Sequence, residues 1–204
     1  MNSRRLTVLA VFFCSLWVTG QEETTPKPDY YYDVLGTAQL GFLTPSTFGE
    51  SYLDGYDFWN GFHFDAKAYV NEQVALGVQV EAFKGRVIDP TLVGAIDASR
   101  VIHGYAVGSY NPFDRKKDLL FEVGMGLGFI DIRNEKGVQR FHDTGFSVMV
   151  NAQVSYRLNK WFGLYARAQA NWGFLDIEAA PEIDDLFNSS QFFSPSLGIR
   201  VFIL

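Results

Sequence analysis

The sequence has few of the residues on which thiol chemistry and metal sites depend. Its 204 residues include one cysteine, Cys14, and three histidines. Cys14 lies in an N-terminal stretch that we predict to be removed, so the mature chain is expected to have no disulfide and no cysteine-ligated metal. The formal net charge of -6 gives no basic surface for nucleic acid. We therefore expect no cofactor, no metal site and no nucleic-acid partner.

The N-terminus also lacks an apolar run long enough for a spanning helix. Residues 6–18 are apolar but shorter than the roughly 20 residues that such a helix needs, and Arg4 and Arg5 precede them. This pattern predicts a signal peptide over residues 1–20, followed by Sec-type export. Phe13 stands before Cys14, where a lipoprotein signal needs a small residue. We predict a flexible periplasmic lead-in over 21–35 and one folded domain over 36–204.

Phenylalanine and glycine are abundant, with 19 residues of each, which favours strands and tight turns. Apolar residues alternate with polar or small ones in eight stretches, as in half-buried strands. In the second stretch Phe58 and Phe62 are expected on one face, and in the fourth Gly104, Ala106, Gly108 and Tyr110 are expected on the polar face. The eight stretches are 36–43, 56–70, 74–85, 101–111, 121–132, 145–158, 161–174 and 192–204.

The connections between these stretches alternate in length. Segments 71–73, 114–118 and 159–160 are short, whereas 44–55, 86–100, 133–144 and 176–191 are long. Several stretches reach the roughly 9–11 residues of a strand that crosses a bilayer. Short turns on one side and long loops on the other are typical of bacterial outer-membrane barrels. The sequence therefore predicts an all-β fold, an eight-stranded antiparallel transmembrane β-barrel with short periplasmic turns and long outer loops.

The predicted polar faces carry a nearly balanced set of charges. The stretch FEVGMGLGFIDI, 121–132, sets Glu122 and three glycines opposite large apolar residues. An eight-stranded barrel is just wide enough for side chains to fill its interior, and buried charges persist when they are paired. We expect Glu122 to pair with Arg157 or a neighbouring cation. The predicted lumen charge network is Asp65, Lys67, Glu81, Glu122, Arg157, Arg167 and Arg200.

The last stretch, SPSLGIRVFIL, carries a pattern near its end. Ser196 and Gly198 precede alternating apolar residues, with Val201 and Ile203 in the spacing that outer-membrane barrels present to the barrel-assembly machinery. On this pattern residues 36–204 resemble the small eight-stranded outer-membrane barrels, the OmpA-barrel and OmpX-like group. The resemblance implies an integral outer-membrane protein of a Gram-negative bacterium, in contact with outer-membrane lipid. It also implies a structural or surface-interaction role and a plugged or very narrow lumen.

Two alternatives remain at this point. A lipid-modifying barrel enzyme would need a nucleophile beside a base, and the chain has neither a His-x-Ser pair nor a Gly-x-Ser-x-Gly elbow, so we expect no catalytic residues. A secreted lipocalin-like barrel would point its apolar face inward around a ligand and expose many charges. The polar faces here are mainly Gly, Ser, Asn and Gln, which suits a packed interior. Aromatic anchors at the outer interface are predicted at Tyr52, Tyr56, Trp59 and Trp172.

Overall fold

Strands make up almost all of the regular structure. A computed structural model describes residues 34–49, 51–94, 96–113, 117–175 and 188–204. The predicted signal peptide and the lead-in before Val34 lie outside these residues. The described residues form ten strands: β1 (Gly36–Leu43), β2 (Ser46–Thr47), β3 (Tyr56–Tyr69), β4 (Val74–Val87), β5 (Ala98–Tyr110), β6 (Leu119–Lys136), β7 (Gln139–Arg157), β8 (Phe162–Leu175), β9 (Ser189–Phe193) and β10 (Ser196–Ile203).

The sheet closes on itself through its first and last strands. β1 pairs with β3 on one side and with β10 on the other, where Gly36 lies opposite Ile203 and Leu43 opposite Ser196. From β3 to β8 each strand pairs antiparallel with the next one in sequence. Closure gives the backbone N–H and C=O groups of the terminal strands partners that an open sheet edge would lack.

The ten segments form eight barrel strands, because the first and the last are each interrupted. Pro45 separates β1 from β2, and Pro195 separates β9 from β10. Proline has no N–H to donate to a ladder, so each interruption falls where pairing would need one. β2 still pairs with β9, with Ser46 opposite Phe193, and β8 pairs with both β9 and β10. The predicted eight-stranded antiparallel barrel is confirmed.

Two of the short turns are held by an asparagine side chain. The Asn71 carboxamide oxygen accepts hydrogen bonds from the backbone N–H groups two and three residues later, both at 2.8 Å. Asn159 does the same at 2.8 and 2.9 Å. An asparagine that bonds the backbone just ahead of it mimics a turn. These two residues therefore fix where the chain reverses between β3 and β4 and between β7 and β8.

The predicted long loop over 133–144 is wrong. β6 runs on to Lys136 and β7 begins at Gln139, so the segment forms the end of a projecting hairpin. Gly137 has φ +56° in its turn, in the left-handed region that glycine adopts without steric cost. Cross-strand pairs such as Glu135 opposite Arg140 extend the ladder through this segment.

The predicted facing of β5 is also wrong. His103 and Tyr105 are buried inside the barrel, whereas Ala106 and Tyr110 are exposed outside. Polarity does not separate the two faces of this strand, since one carries small residues and the other mixes polar with bulky apolar ones. The Phe129 ring from β6 lies where a side chain at Gly104 would stand, so the outer face is filled from the neighbouring strand.

A bulge in β3 overturns one further facing prediction. Its pairing with β4 shifts between Trp59 and Phe62. Phe58 is therefore buried inside, while Phe62 is half exposed outside. An extra residue in one strand of a pair reverses which face the following side chains take.

In the described segments, two short helices lie at the mouth of the barrel, before β3 and before β5. A 3₁₀ helix, Tyr52–Gly55, follows Ser51, whose hydroxyl donates to the Ser189 carbonyl at 2.9 Å. Helix α1, Pro90–Val93, begins after Asp89, which accepts from Thr91 N–H at 2.9 Å. The hydroxyl of Thr91 also bonds this carboxylate and lowers the pKa of Asp89. The Gly55 carbonyl accepts from Ile88 N–H at 2.8 Å, which joins the two connections.

Candidate functional site

Glu122 lies between two cations in the barrel interior. Its carboxylate accepts a hydrogen bond from the Lys67 ammonium, and its other oxygen is 2.9 Å from Arg200 Nη2. Arg200 also donates to the Ser155 hydroxyl and to the Tyr69 hydroxyl, each at 3.0 Å. The charged side chains are at most 4% exposed. The partners of Glu122 are thus Lys67 and Arg200, on β3 and β10, and not Arg157.

Arg167 is the centre of a second group of contacts. It donates to Asp65 at 2.9 Å, and three more of its five N–H groups bond the side-chain carbonyls of Gln39, Gln79 and Gln153 at 2.8–2.9 Å. Lys67 lies 3.3 Å from Asp65 and so joins this group to Glu122. A buried guanidinium needs nearly all of its donors satisfied. The glutamines on the inward face meet that need without adding charge.

Glu81 is surrounded by amides in place of lysine or arginine. Gln79 and Gln169 donate to it at 3.0 and 2.8 Å, and Asn171 at 3.4 Å. His103 Nδ1 is 3.5 Å from the same carboxylate. Amide donors stabilise a buried carboxylate with partial charges only. The predicted orientation of β5 is the reverse of the observed one, so the sequence did not identify His103 as a neighbour of Glu81.

Among the interior cations, Arg157 lies nearest the short-turn end of the barrel, at the last residue of β7. Its guanidinium lies 4.3 Å from the centre of the Phe202 ring, a cation–π distance. Phe202 also packs with Leu120 and Val34 in a small apolar cluster. The structure therefore places Arg157 in the interior with the other six residues of the predicted network, but in contact with an aromatic ring at one end.

The Tyr165 side chain lies along the inner wall, over two glycines of the neighbouring strands, because Gly198 is its cross-strand partner on β10. Gly41 and Gly198 lie opposite each other on β1 and β10. A β-carbon at either position would collide with the Tyr165 hydroxyl. That hydroxyl lies 3.0 Å from His63 Nε2. Glycines on the inward face thus make room for a long side chain from a neighbouring strand.

An aromatic layer lies between the charges and the mouth. Phe58, Phe83 and Phe192 meet pairwise with ring centres 5.2–5.4 Å apart, close to edge-to-face geometry. All three are buried. They belong to a larger apolar cluster that includes Leu53 of the 3₁₀ helix and Val93 of α1. The outer end of the interior is therefore filled by apolar side chains.

Two of the four predicted aromatic anchors are not at the outer interface. Tyr52 and Tyr56 are 3% and 4% exposed and belong to the apolar cluster at the mouth. Burial raises the pKa of both phenols, that of Tyr56 to about 12. Tyr56 donates to Asn134 at 3.3 Å, which satisfies its buried hydroxyl. Trp59, by contrast, is half exposed on the outer wall.

The histidines contact tyrosine and carboxylate groups. His63 bonds Tyr165, His103 approaches Glu81, and His142 Nε2 lies 2.9 Å from Asp131 on the projecting hairpin. Within the described part of the chain, no group of three or more His, Cys, Asp or Glu residues is arranged to hold a metal ion. The arrangement suits side-chain packing and charge neutralisation inside the barrel.

The outer wall is apolar over most of its height. Between the level of Phe129 and the short turns, the outward residues of the described strands include no Asp, Glu, Lys or Arg. Large apolar side chains are exposed there on β1, β3, β4, β6, β7, β8 and β10: Leu40, Phe64, Val80, Leu127, Val150, Leu164 and Ile199. No helix in the described segments is long and apolar enough to span a membrane.

A closed ring of eight antiparallel strands, with a polar interior and an apolar outer wall, defines the class of small eight-stranded barrels. No protein-family model and no curated protein matches the chain. Solved structures do: Neisserial surface protein A is 17% identical over 82% of this chain and 96% of its own, with TM-score 0.56. Outer membrane protein OprG from Pseudomonas aeruginosa is 10% identical, over 82% and 95%, with TM-score 0.51. At such identities the likeness confirms the predicted resemblance at the level of the fold.

Proposed function

We propose that the chain is an integral outer-membrane barrel of a Gram-negative bacterium, exported by a Sec-type route that residues 1–20 direct and during which they are removed. Its role is structural or one of surface interaction. The observation that carries the proposal is the division of side chains between the two faces. Charges and amides lie inside, and apolar side chains lie outside. A soluble ligand-binding barrel needs the reverse, because water surrounds its outer wall.

The height of the apolar wall supports the membrane assignment. On β7 the outward apolar residues run from Phe146 to Tyr156. Ten steps at about 3.4 Å, with strands tilted about 40°, give roughly 26 Å. The apolar band of outer-membrane barrels is about 25 Å tall. The wall thus matches the hydrocarbon layer that it is proposed to contact.

The filled interior supports a closed lumen. The apolar cluster around Phe202, the lumen charge network and the aromatic layer follow one another along the barrel axis. A buried charge that is paired and hydrogen-bonded does not need water to stabilise it, whereas an unpaired buried ion does. A structural barrel needs no catalytic group, and the bonds of His63 to Tyr165 and of His142 to Asp131 fit that role.

The C-terminal strand is proposed to carry the assembly signal. Ser196 faces inward, whereas Val201 and Ile203 are on the outer wall. Gly198 lies between Ser196 and Val201 in the sequence. Val201 and Ile203 are thus accessible from the side, where the barrel-assembly machinery would meet the strand. Outer-membrane lipid is the other proposed partner, along the apolar wall.

The membrane assignment is tested with one cysteine on the outer wall. The mature chain has no other thiol once the signal peptide is removed. Val150→Cys, labelled with a small fluorophore in lipid vesicles, should be strongly quenched by a nitroxide on the lipid acyl chains, because Val150 points outward at mid-height. Its thiol should also be shielded from a water-soluble maleimide.

Val138→Cys is the matched control. Val138 is fully exposed at the tip of the projecting hairpin, so its thiol should react with the maleimide and its label should escape the acyl-chain nitroxide. A gel shift on heating verifies that both variants are folded barrels. Similar quenching at the two positions, or none at position 150, would contradict the proposal.

A further inference from the structure

Strand register places cations side by side on the outer wall. Lys84 on β4 lies opposite Arg100 on β5, and Arg100 lies opposite Arg133 on β6. Neighbouring strands are about 4.8 Å apart, so the three backbones lie within about 10 Å. These residues are separated by many positions in the sequence, and only the pairing of β4, β5 and β6 brings them together. We name Lys84, Arg100 and Arg133 the cationic row.

The cationic row faces outward. The residues next to its members point into the barrel: Phe83, Val101 and Ile132 are at most 1% exposed. Lys84, Arg100 and Arg133 are themselves exposed. Because side chains alternate between the two faces of a strand, all three project sideways from the wall and away from the lumen.

The cationic row stands at the upper rim of the apolar wall. One step below it on the same strands are Ala82, Ile102 and Asp131, and one step further down is Phe129. Trp59, half exposed, pairs with Lys84 at the same level. Tryptophan at this height is typical of the boundary between hydrocarbon and headgroups. If the wall contacts lipid, the row lies at headgroup depth.

Nearby carboxylates neutralise only part of this charge. Asp131 holds Arg133 at 2.9 Å and His142 at 2.9 Å, Asp57 holds Arg86 at 3.3 Å, and Glu135 lies 3.6 Å from Arg140. Among the described residues, no carboxylate lies within ion-pair distance of Lys84 or Arg100. The row therefore keeps two uncompensated cations, Arg100 at its centre and Lys84 at its β4 end.

The cations also occupy one side of the barrel. In the described segments, every lysine and arginine that lies at the loop end and outside the lumen belongs to β4–β7 or to their hairpin: Lys84, Arg86, Arg100, Arg133, Lys136 and Arg140. Cations that only anchored the barrel at the interface would be spread around it. Clustering on one side indicates a ligand that contacts that side.

We propose that the cationic row binds the phosphate groups of a phosphorylated glycolipid in the outer leaflet. This inference rests on the proposed membrane location. Arginine presents a planar fork of donors that matches phosphate oxygens, and lysine adds a point charge. The acyl chains of the same lipid would lie against the apolar wall below. Because the row projects sideways at the rim, a lipid headgroup reaches it more directly than a soluble polymer above the mouth.

The test compares binding of two lipids to the full barrel in detergent, followed by native mass spectrometry. The probes are a bis-phosphorylated lipid A and the same lipid after removal of its phosphates. Wild-type protein should bind the phosphorylated form at least about tenfold more tightly, because hydrogen bonds between charged groups are stronger than those between neutral ones. The triple variant Lys84→Gln, Arg100→Gln, Arg133→Gln should lose that preference.

The control is Lys117→Gln with Lys160→Gln, which removes charges at the short-turn end and should keep the preference. Equal affinity of wild type for the two lipids would overturn the proposal, and so would an unchanged preference in the triple variant. Binding of a soluble sulfated dextran through the row more tightly than the phosphorylated lipid would assign the surface to a polysaccharide and overturn it as well. A failed membrane assignment is recognised separately, by the absence of a heat-induced gel shift and of acyl-chain quenching at position 150.

Discussion

At the scale of the residue, Glu122 shows how a carboxylate is tolerated inside a barrel. It is 3% exposed and is held by Lys67 at one carboxylate oxygen and by Arg200 at the other. Neither the pairing with Lys67 nor that with Arg200 follows from sequence distance, since the three residues are on different strands. Removing the carboxylate leaves two cations facing each other without their shared counter-ion.

Glu122→Ala should therefore destabilise the barrel strongly. Breaking a buried ion pair by removing one partner costs about 3–5 kcal/mol, whereas an exposed surface pair is worth at most about 1 kcal/mol. The difference in stability is measured by urea unfolding in detergent, with the loss of the heat-induced gel shift as the readout. Glu135→Ala is the matched control, because Glu135 is exposed and its ion pair with Arg140 is 3.6 Å long. Equal loss of stability in the two variants would refute the role given to Glu122.

At the scale of the element, β5 is the strand whose composition misled the sequence analysis. Gly104, Ala106 and Gly108 look like residues that make room inside a barrel, but they lie on the outer wall. The inward side of β5 carries Tyr105, whose hydroxyl is 2.9 Å from Ser147 and donates to Asn171 at 3.1 Å. The Phe129 ring covers Gly104 from outside. Neighbouring strands, and not the residues of β5 alone, decided its orientation.

The facing of β5 gives a thiol prediction. In lipid vesicles, Ala106→Cys should react with a lipid-soluble maleimide, because Ala106 is exposed on the outer wall. Val107→Cys should stay unreactive until the barrel is unfolded, because Val107 is 4% exposed and packs with Tyr105 and Met149. The two variants differ by one position, so depth in the membrane is nearly the same. The opposite order of reactivity would restore the orientation expected from the sequence.

At the scale of the whole molecule, the barrel interior is organised in layers. The Phe202 cluster, the lumen charge network and the aromatic layer each fill a section of a lumen that is already narrow at eight strands. The mouth is narrowed again by the 3₁₀ helix and α1, which contribute Leu53 and Val93 to the apolar cluster. Passage of a hydrated ion would require several of these layers to open together.

Purified protein in a planar lipid bilayer should consequently show no large, steady channel. Brief openings are compatible with side-chain motion, because exchange of one ion pair does not move the aromatic layer. Protein denatured by heat before addition serves as the control for adventitious pores. Stable openings on the nanosiemens scale that appear with the folded protein but not with the denatured control would contradict a filled lumen. They would indicate a wider pore or an oligomer.

The alternation of residues in the sequence by itself determined that this chain forms eight barrel strands and which face of most of them is polar. β6, β7 and β8 have the orientation that period-two alternation predicts, because successive side chains of a strand must point to opposite faces. The seven charges of the predicted network were also all identified as inward. A local rule suffices for such features, since each strand carries its own pattern.

Tertiary structure alone decided the features that depend on register between strands. The pairing of Glu122 with Lys67 and Arg200, the bulge that turns Phe58 inward, the orientation of β5 and the alignment of Lys84, Arg100 and Arg133 all belong to this group. A shift of one residue in register moves a side chain to the other face. The free energy that fixes register comes from packing between residues distant in sequence, so no single stretch of the chain contains it.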